Sequence, residues 1–434
     1  MQLIIHRGTQ EIGGSCVELK TDKTRVLIDF GMPLVNPDKE PFDAKILANK
    51  SIEDLKDLKI LPDIKGLYKK EEGLIDAILI SHSHPDHYGF LNYVHPDIPI
   101  HMSQGAKELI EISSLFTPNK LNKINQKIID KRKPFSIGDI RITPYTVDHS
   151  AFDALAFLFE ADGKRFFYSG DFRGHGRKSK LFDKIVSKPP KDIDCLLMEG
   201  STLGREEQLY KDEIAVQNRI EEILKAADNI TFLFTSSQNI DRLVSAYKAC
   251  LKTDRLFVID IYTAYVLDRL SSVSKHIPQF DWRNVRVKFY KNQADILAGK
   301  VSEKLLYRYN TKKIEMPEIN EKKSKILMLA RFNSIFPRII KSINNSAGAK
   351  IIFSMWEGYL SDEFKEYCAK SGLIIEQVHS SGHAKLEDLK SFANAINPKK
   401  LIPIHTFEAE RYPTLFQNVK LLKDKEVYTL SQSS

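Results

Sequence analysis

The chain of 434 residues is 42% hydrophobic and 28% charged, ordinary usage for a folded soluble protein, and its length predicts two or three domains with a sizeable core. No apolar run reaches the roughly 18 residues that a transmembrane helix needs, and Met1 to Arg7 has neither a basic leader nor a small-residue cleavage site. Neither a membrane-spanning nor a secreted protein is expected, and the cytoplasm is the expected compartment.

Cys16, Cys195, Cys250 and Cys368 stand alone, which excludes a zinc ribbon. They are expected as buried free thiols, so any metal site here must be built from His and carboxylate. The net charge of +8 is unevenly spread: residues 281–350 hold 16 Lys and Arg against 6 Asp and Glu. A segment that basic is a candidate surface for a polyanion, with a solvated Lys-rich face as the alternative.

The first third reads as short strands. They are Met1 to Arg7, Arg25 to Phe30 (closed by Gly31-Met32-Pro33), Ala77 to Ser81, Ile140 to Val147, Ala154 to Glu160 and Arg165 to Ser169. Asp162-Gly163 makes a hairpin turn between the last two, and Cys195 to Met198 closes the series. From about Ser201, helices alternate with strands: a helix near Glu206 to Ala227, a strand Thr231 to Thr235, a helix near Asn239 to Leu251, then strands Leu256 to Asp260, Lys325 to Ala330 and Lys350 to Ser354. That alternation argues for a parallel sheet flanked by helices. Strands Leu373 to His379 and Leu401 to His405 follow, while Lys312 to Lys325 is expected as a loop and Asn36 to Leu74 as a long polar insertion.

Chemistry concentrates in Ser81-His82-Ser83-His84-Pro85-Asp86-His87, directly after a strand. Pro85 rules out a strand or helix interior, so a loop is expected there. Imidazole and carboxylate together suit zinc or a similar divalent ion, and the pairs His82/His84 and Asp86/His87 can face two ions from one tight loop. A polar turn with unrelated histidines is the weaker reading of so dense a string.

That string resembles the signature of the metallo-β-lactamase superfamily, and other motifs match in order: Asp29 before Gly31, His149 in Val147-Asp148-His149-Ser150, and Asp171 in Ser169-Gly170-Asp171. The resemblance implies that His82, His84 and His149 hold one zinc and that Asp86 and His87 hold another. Asp171 would bridge the two and Asp29 would orient a ligand. Three later motifs, Met198-Glu199-Gly200-Ser201, His379-Ser380-Ser381-Gly382-His383-Ala384 and Pro403-Ile404-His405-Thr406, resemble the β-CASP branch, and RNase J-type ribonucleases within it. On that resemblance His405 completes the second metal site, His383 contacts the scissile phosphate beside Ser381, and Glu199 supports His383.

The implied architecture is α/β. A metallo-β-lactamase αββα sandwich comes from residues 1–201 and 371–434, with a β-CASP domain, a parallel sheet flanked by helices, inserted at 202–370. The implied function is a nuclease with two Zn2+ ions, or Mn2+, acting on single-stranded RNA, with His383, Asp171, Glu199 and Asp86 as its catalytic set. A DNA nuclease, a small-molecule hydrolase and a catalytically silent nucleic-acid-binding subunit are the rival readings; a homodimer is one candidate assembly, and the oligomeric state is left open by the sequence. The segment after the last strand is too short for the further C-terminal domain of typical RNase J enzymes.

Ser236-Ser237-Gln238-Asn239, between a strand and a helix, reads either as a phosphate-binding turn through Ser237 or as a plain helix cap. His6, His95, His101, His175, His276 and His379 have no partner at metal spacing and read as ordinary polar or core residues. Trp356 is expected to pack in a core rather than to stack on a base.

Overall fold

The computed structural model describes all residues except 37, 39, 118, 119, 206–208 and 431–434, and its described strands form three sheets. The first runs, in order, Val427–Thr429, Gln2–Arg7, Cys16–Lys20, Arg25–Ile28, Ala77–Leu79, Pro99–Met102, Asn125–Ile128. The second runs Lys400–Ile404, Cys195–Glu199, Lys164–Tyr168, Leu155–Ala161, Ile140–Thr146, Phe135–Ile137.

Side chains alternate along a strand, so each of these strands builds two cores. Val17, Val26, Ile28, Phe157, Phe159, Cys195 and Leu197 meet between the two sheets. Their neighbours point outward: Leu27 and Ile78 share a core with residues of helix Gln104–Phe116. Leu158, Leu196 and Met198 share another with residues of helices Ser179–Ser187 and Leu386–Ile396. The result is a helix–sheet–sheet–helix sandwich. The Asp162-Gly163 turn has the two positive φ values, 52° and 67°, that such a hairpin requires.

The third sheet is wholly parallel, in the order Val285–Lys288, Leu256–Asp260, Ile326–Ala330, Thr231–Phe234, Lys350–Phe353, Ile374–Gln377. Both its faces are buried: Leu233, Leu327 and Leu329 lie on one side, and Phe232, Phe234 and Met328 on the other. Ile374–Gln377 lies after residue 370 yet pairs with Lys350–Phe353, so the chain returns to the sandwich only beyond Gln377. Leu109, Ile112 and Phe152 of the sandwich share a core with Ile261 and Ala264 of the insert.

Three local expectations are corrected. Residues Met316–Glu321, within the expected loop, are helical, because Ile314 and Ile319 among the lysines are fully buried. The Asn36 to Leu74 insertion carries a helix, Ile52–Asp57, with a Ser51/Asp54 capping box, and Leu55, Leu61, Ile64 and Leu67 tie it to the core. The histidine-rich loop contains a one-turn helix, Pro85–Tyr88, with Pro85 at the first helical position, where its missing N–H costs nothing. Among the described residues no helix is long and apolar enough to cross a membrane.

Candidate metal centre

The predicted ligands leave from ends of strands along one rim of the sandwich. Asp29 follows Arg25–Ile28 with φ 59°, and His405 follows Lys400–Ile404 with φ 54°. Both occupy the left-handed region, which costs free energy in a residue with a side chain and persists where the surroundings over-determine it. Gly31 lets the chain leave this rim: a Cβ there would lie 1.6 Å from the Asp86 carbonyl oxygen.

The donor atoms converge. His82, His84 and His149 form one three-donor group, and Asp86, His87 and His405 a second, each with its donor atoms within 4.8 Å of one another. Asp171 joins them: its Oδ2 lies 3.2 Å from His87 Nε2, 3.5 Å from His405 Nε2 and 3.6 Å from His82 Nε2. His405 Nε2 is 3.6 Å from Asp86 Oδ2.

The far nitrogens are anchored. His87 Nδ1–H donates to Asp29 Oδ2 at 2.8 Å, and the same carboxylate accepts from Tyr168 and from the amide and hydroxyl of Ser81. His405 Nδ1 accepts from the Gly13 amide at 3.2 Å and lies 3.0 Å from the Ser15 hydroxyl. Such contacts hold a ligand's ring and tautomer in place.

His82 Nε2, His87 Nε2, His149 Nδ1, Asp171 Oδ2 and His405 Nε2 are buried with no hydrogen-bond partner among the described residues. Orphaned buried polar atoms are costly. Four of these face one another, the ring nitrogens of His82, His87 and His405 around Asp171 Oδ2. His149 turns its other nitrogen, Nε2, to His84 Nδ1 at 3.3 Å. Burial pushes His82, His149 and His405 well down from the usual histidine range, and His84 to about 4, so these rings are neutral and ready to ligate. Burial also opposes a charge on His87, but Asp171, Asp29 and Asp86 hold its proton well above the usual range, where a divalent cation would replace it. Five imidazoles and two carboxylates fit zinc.

Glu199, at the end of Cys195–Glu199, accepts from the Phe172 amide at 2.8 Å, from the Ser201 hydroxyl at 2.8 Å and from His383 Nδ1 at 3.1 Å. Glu199 is buried and taken up on both oxygens, and it fixes the Nδ1 side of the His383 ring. Gly382 permits this: a Cβ there would lie 2.2 Å from the Ser150 hydroxyl. Ser381 supports the loop, its hydroxyl accepting from the His383 amide at 3.0 Å.

Ser237 is not brought to this cluster; its hydroxyl meets Thr263 at 2.7 Å and accepts from Arg331, itself paired with Asp260. Its neighbours Ser236, Gln238 and Asn239 instead line a cavity of about 380 Å³ together with Ser83 and His84. Asn239 caps helix Ile240–Lys252, which is the helix-cap reading of this turn. Several cations of the basic 281–350 segment are paired within the fold. Lys288 and Lys313 share Glu315, and Arg308 pairs with Asp268.

Sequence reasoning missed the charged girder behind the 380–383 loop. Arg173 reaches Asp241 at 2.7 Å and the Ser381 carbonyl at 2.8 Å, and Arg242 pairs with Glu213 at 2.8 Å; all four side chains are buried. His175 joins Asp388 at 3.1 Å to the Ser381 carbonyl at 3.2 Å. The girder's Arg, Asp and Glu, scattered over a loop and two helices, give no sequence signal for this.

Burial would raise the Glu213 pKa, yet Arg242 and Arg173 hold it far below the carboxylate range. Its contribution to stability is therefore present above about pH 4.3 and is lost as pH falls. Arg242→Met should cost about 3–5 kcal/mol by leaving Glu213 buried without its partner, read from urea unfolding at pH 7. A loss under about 1 kcal/mol would deny the girder a structural role.

Comparison with known proteins agrees with this architecture. A family model described as a beta-lactamase superfamily domain matches residues 64–232, and one described as a Zn-dependent metallo-hydrolase RNA specificity domain matches residues 373–411. Ribonuclease J of Helicobacter pylori (strain B128) is 24% identical over 92% of this chain and 55% of its own length. Ribonuclease J of Mycoplasma genitalium is 23% identical over 98% of this chain and 71% of its own. The chain thus spans about half the length of the Helicobacter relative. A crystal structure of a protein of unknown function from Enterococcus faecalis V583 superimposes with a TM-score of 0.79 at 22% identity, covering 98% of this chain and 99% of that one, which shows a shared fold.

Residues 64–232 thus match a beta-lactamase superfamily domain, and the sandwich and its rim agree with that match. The chain resembles Ribonuclease J over most of its own length.

Proposed function

We propose that this chain hydrolyses phosphodiester bonds of single-stranded RNA with two zinc ions, manganese being the second candidate. The observation that carries this reading is the pair of three-donor groups sharing Asp171, with His383 and an open cavity beside them. RNA is favoured over DNA because the segment carrying His383 and His405 matches the RNA specificity domain model.

His82, His84 and His149 would hold one ion and Asp86, His87 and His405 the other, with Asp171 between them. Bound there, such a pair lowers the pKa of water and polarises a phosphate. The chain's own residues do the rest. Asp29 and Ser15 fix the rings of His87 and His405. Burial of the rim keeps bulk water from the donors. Glu199 and Asp171 raise the His383 pKa against its burial, so its imidazolium can donate to a phosphate oxygen or to the leaving oxygen. No protein nucleophile is required.

The expected result with end-labelled RNA and DNA, each carrying a 5′-phosphate or a 5′-hydroxyl, is chelator-sensitive cleavage of RNA in preference to DNA. The product ladder separates exonuclease from endonuclease action. Equal or better cleavage of DNA would move the reading to a DNA nuclease, and intact strands of both kinds would remove it.

A further inference from the structure

An aromatic corner stands where a core tryptophan was expected. Trp356 follows strand Lys350–Phe353 and is 48% exposed, and Tyr359, one turn on, is 65% exposed. Their rings meet edge to face at 5.5 Å and 88°. The corner has a fixed shape. The Tyr359 amide donates to the Trp356 carbonyl at 3.0 Å, and Gly358 has no Cβ because one would lie 2.3 Å from the Trp356 ring. The exposed Arg205 guanidinium lies over that ring at 5.1 Å.

The corner borders the metal centre. Arg205 lies four residues beyond Ser201, whose hydroxyl donates to Glu199 at 2.8 Å and to the His405 carbonyl at 3.3 Å. Gly204 packs on the Glu408 side chain, three residues past His405. On the opposite flank, past His84, the cavity begins. Two large rigid rings on the surface leave apolar area in water that a globular chain usually hides. A π-face with a cation above it suits a flat, electron-rich partner joined to an anion, which describes a nucleobase on its phosphate backbone. Arg205 senses the charge of Glu199, and Tyr359 that of Asp86, which fits the same placement.

We infer that Trp356, Tyr359 and Arg205 form a stacking subsite that holds one nucleobase of the single strand on the His405 side of the centre. This rests on the proposed nuclease reading. It makes Trp356 a determinant of substrate affinity and not of metal binding.

The chain has two tryptophans, and Trp282 packs on Tyr247 within the insert, so Trp282→Phe leaves Trp356 as the single reporter. A phosphorothioate-linked strand of about eight nucleotides, added to the metal-loaded protein, should quench Trp356 emission, and an abasic strand of equal length should not. Trp356→Ala should raise KM for RNA by about 5- to 150-fold with metal content unchanged, and Trp356→Phe should recover most of the loss. Unchanged emission, equal quenching by the abasic strand, or a wild-type KM in Trp356→Ala would each overturn the subsite. Failure of the nuclease reading looks different: the wild type cleaves no strand, whatever Trp356 emission does.

Discussion

Asp171→Ala should empty the centre and abolish turnover. Its Oδ2 lies near all three of His82, His87 and His405, at 3.2–3.6 Å, so its loss removes a donor from both groups at once. Losing a group that merely orients a ligand costs about 10- to 100-fold in metal affinity. Asp29→Ala, which acts through His87, Ser81 and Tyr168, should fall in that range. Asp171→Ala should lose about 1,000-fold or more, because a bridging donor is gone and not just its support. In chelator the variant should melt no lower than the parent, since burial already raises the Asp171 pKa and its charge is a burden when no cation is there. The measurements are metal content per chain after dialysis and cleavage of labelled RNA. Retention of a full complement of metal by Asp171→Ala would break the assignment of this residue as the bridge.

Much of this centre was legible because it is built from local strings at strand ends. His82, His84, Asp86 and His87 fall within six residues, and their order after Ala77–Leu79 leaves little freedom in where they point. Asp29, Asp171 and His405 were readable for the same reason, each one residue or a few past an apolar run. Ser237 was misread because a hydroxyl between a strand and a helix has the same sequence whether it faces the cleft or the protein; here Thr263 and Arg331 claim it. Trp356 was misread because apolar character predicts burial only on average, while its exposure follows from Gly358 folding the ring onto a surface turn. The girder of Arg173, Arg242, Glu213 and Asp241 was invisible because its members are distant in sequence and meet only once the insert docks. Strands such as Cys16–Lys20 and Phe135–Ile137 are short and irregular in pattern, and tertiary pairing rather than periodicity makes them strands.

The second large effect concerns His383, whose Nδ1 lies 3.1 Å from Glu199 and 3.7 Å from Asp171. As a proton donor or phosphate contact its removal should lower kcat by about 100- to 10,000-fold while metal content stays that of the wild type. Glu199→Gln should do less harm, and the double variant should be no worse than His383→Ala alone, because the two residues act as one unit. Glu199 raises the His383 pKa, so an activity that needs the imidazolium fades as pH rises through that value. Removing the carboxylate's charge lowers that pKa, and the alkaline limb of the kcat profile of Glu199→Gln should move to lower pH. A contrary result has a structural meaning too. His383 lies within reach of His149 and Asp171 as a third donor, so loss of an ion in His383→Ala would make it a ligand instead. The alkaline limb then decides between the two roles: a ligand's replacement empties the site at every pH, whereas a proton donor's partner shifts the limb and leaves the ions bound.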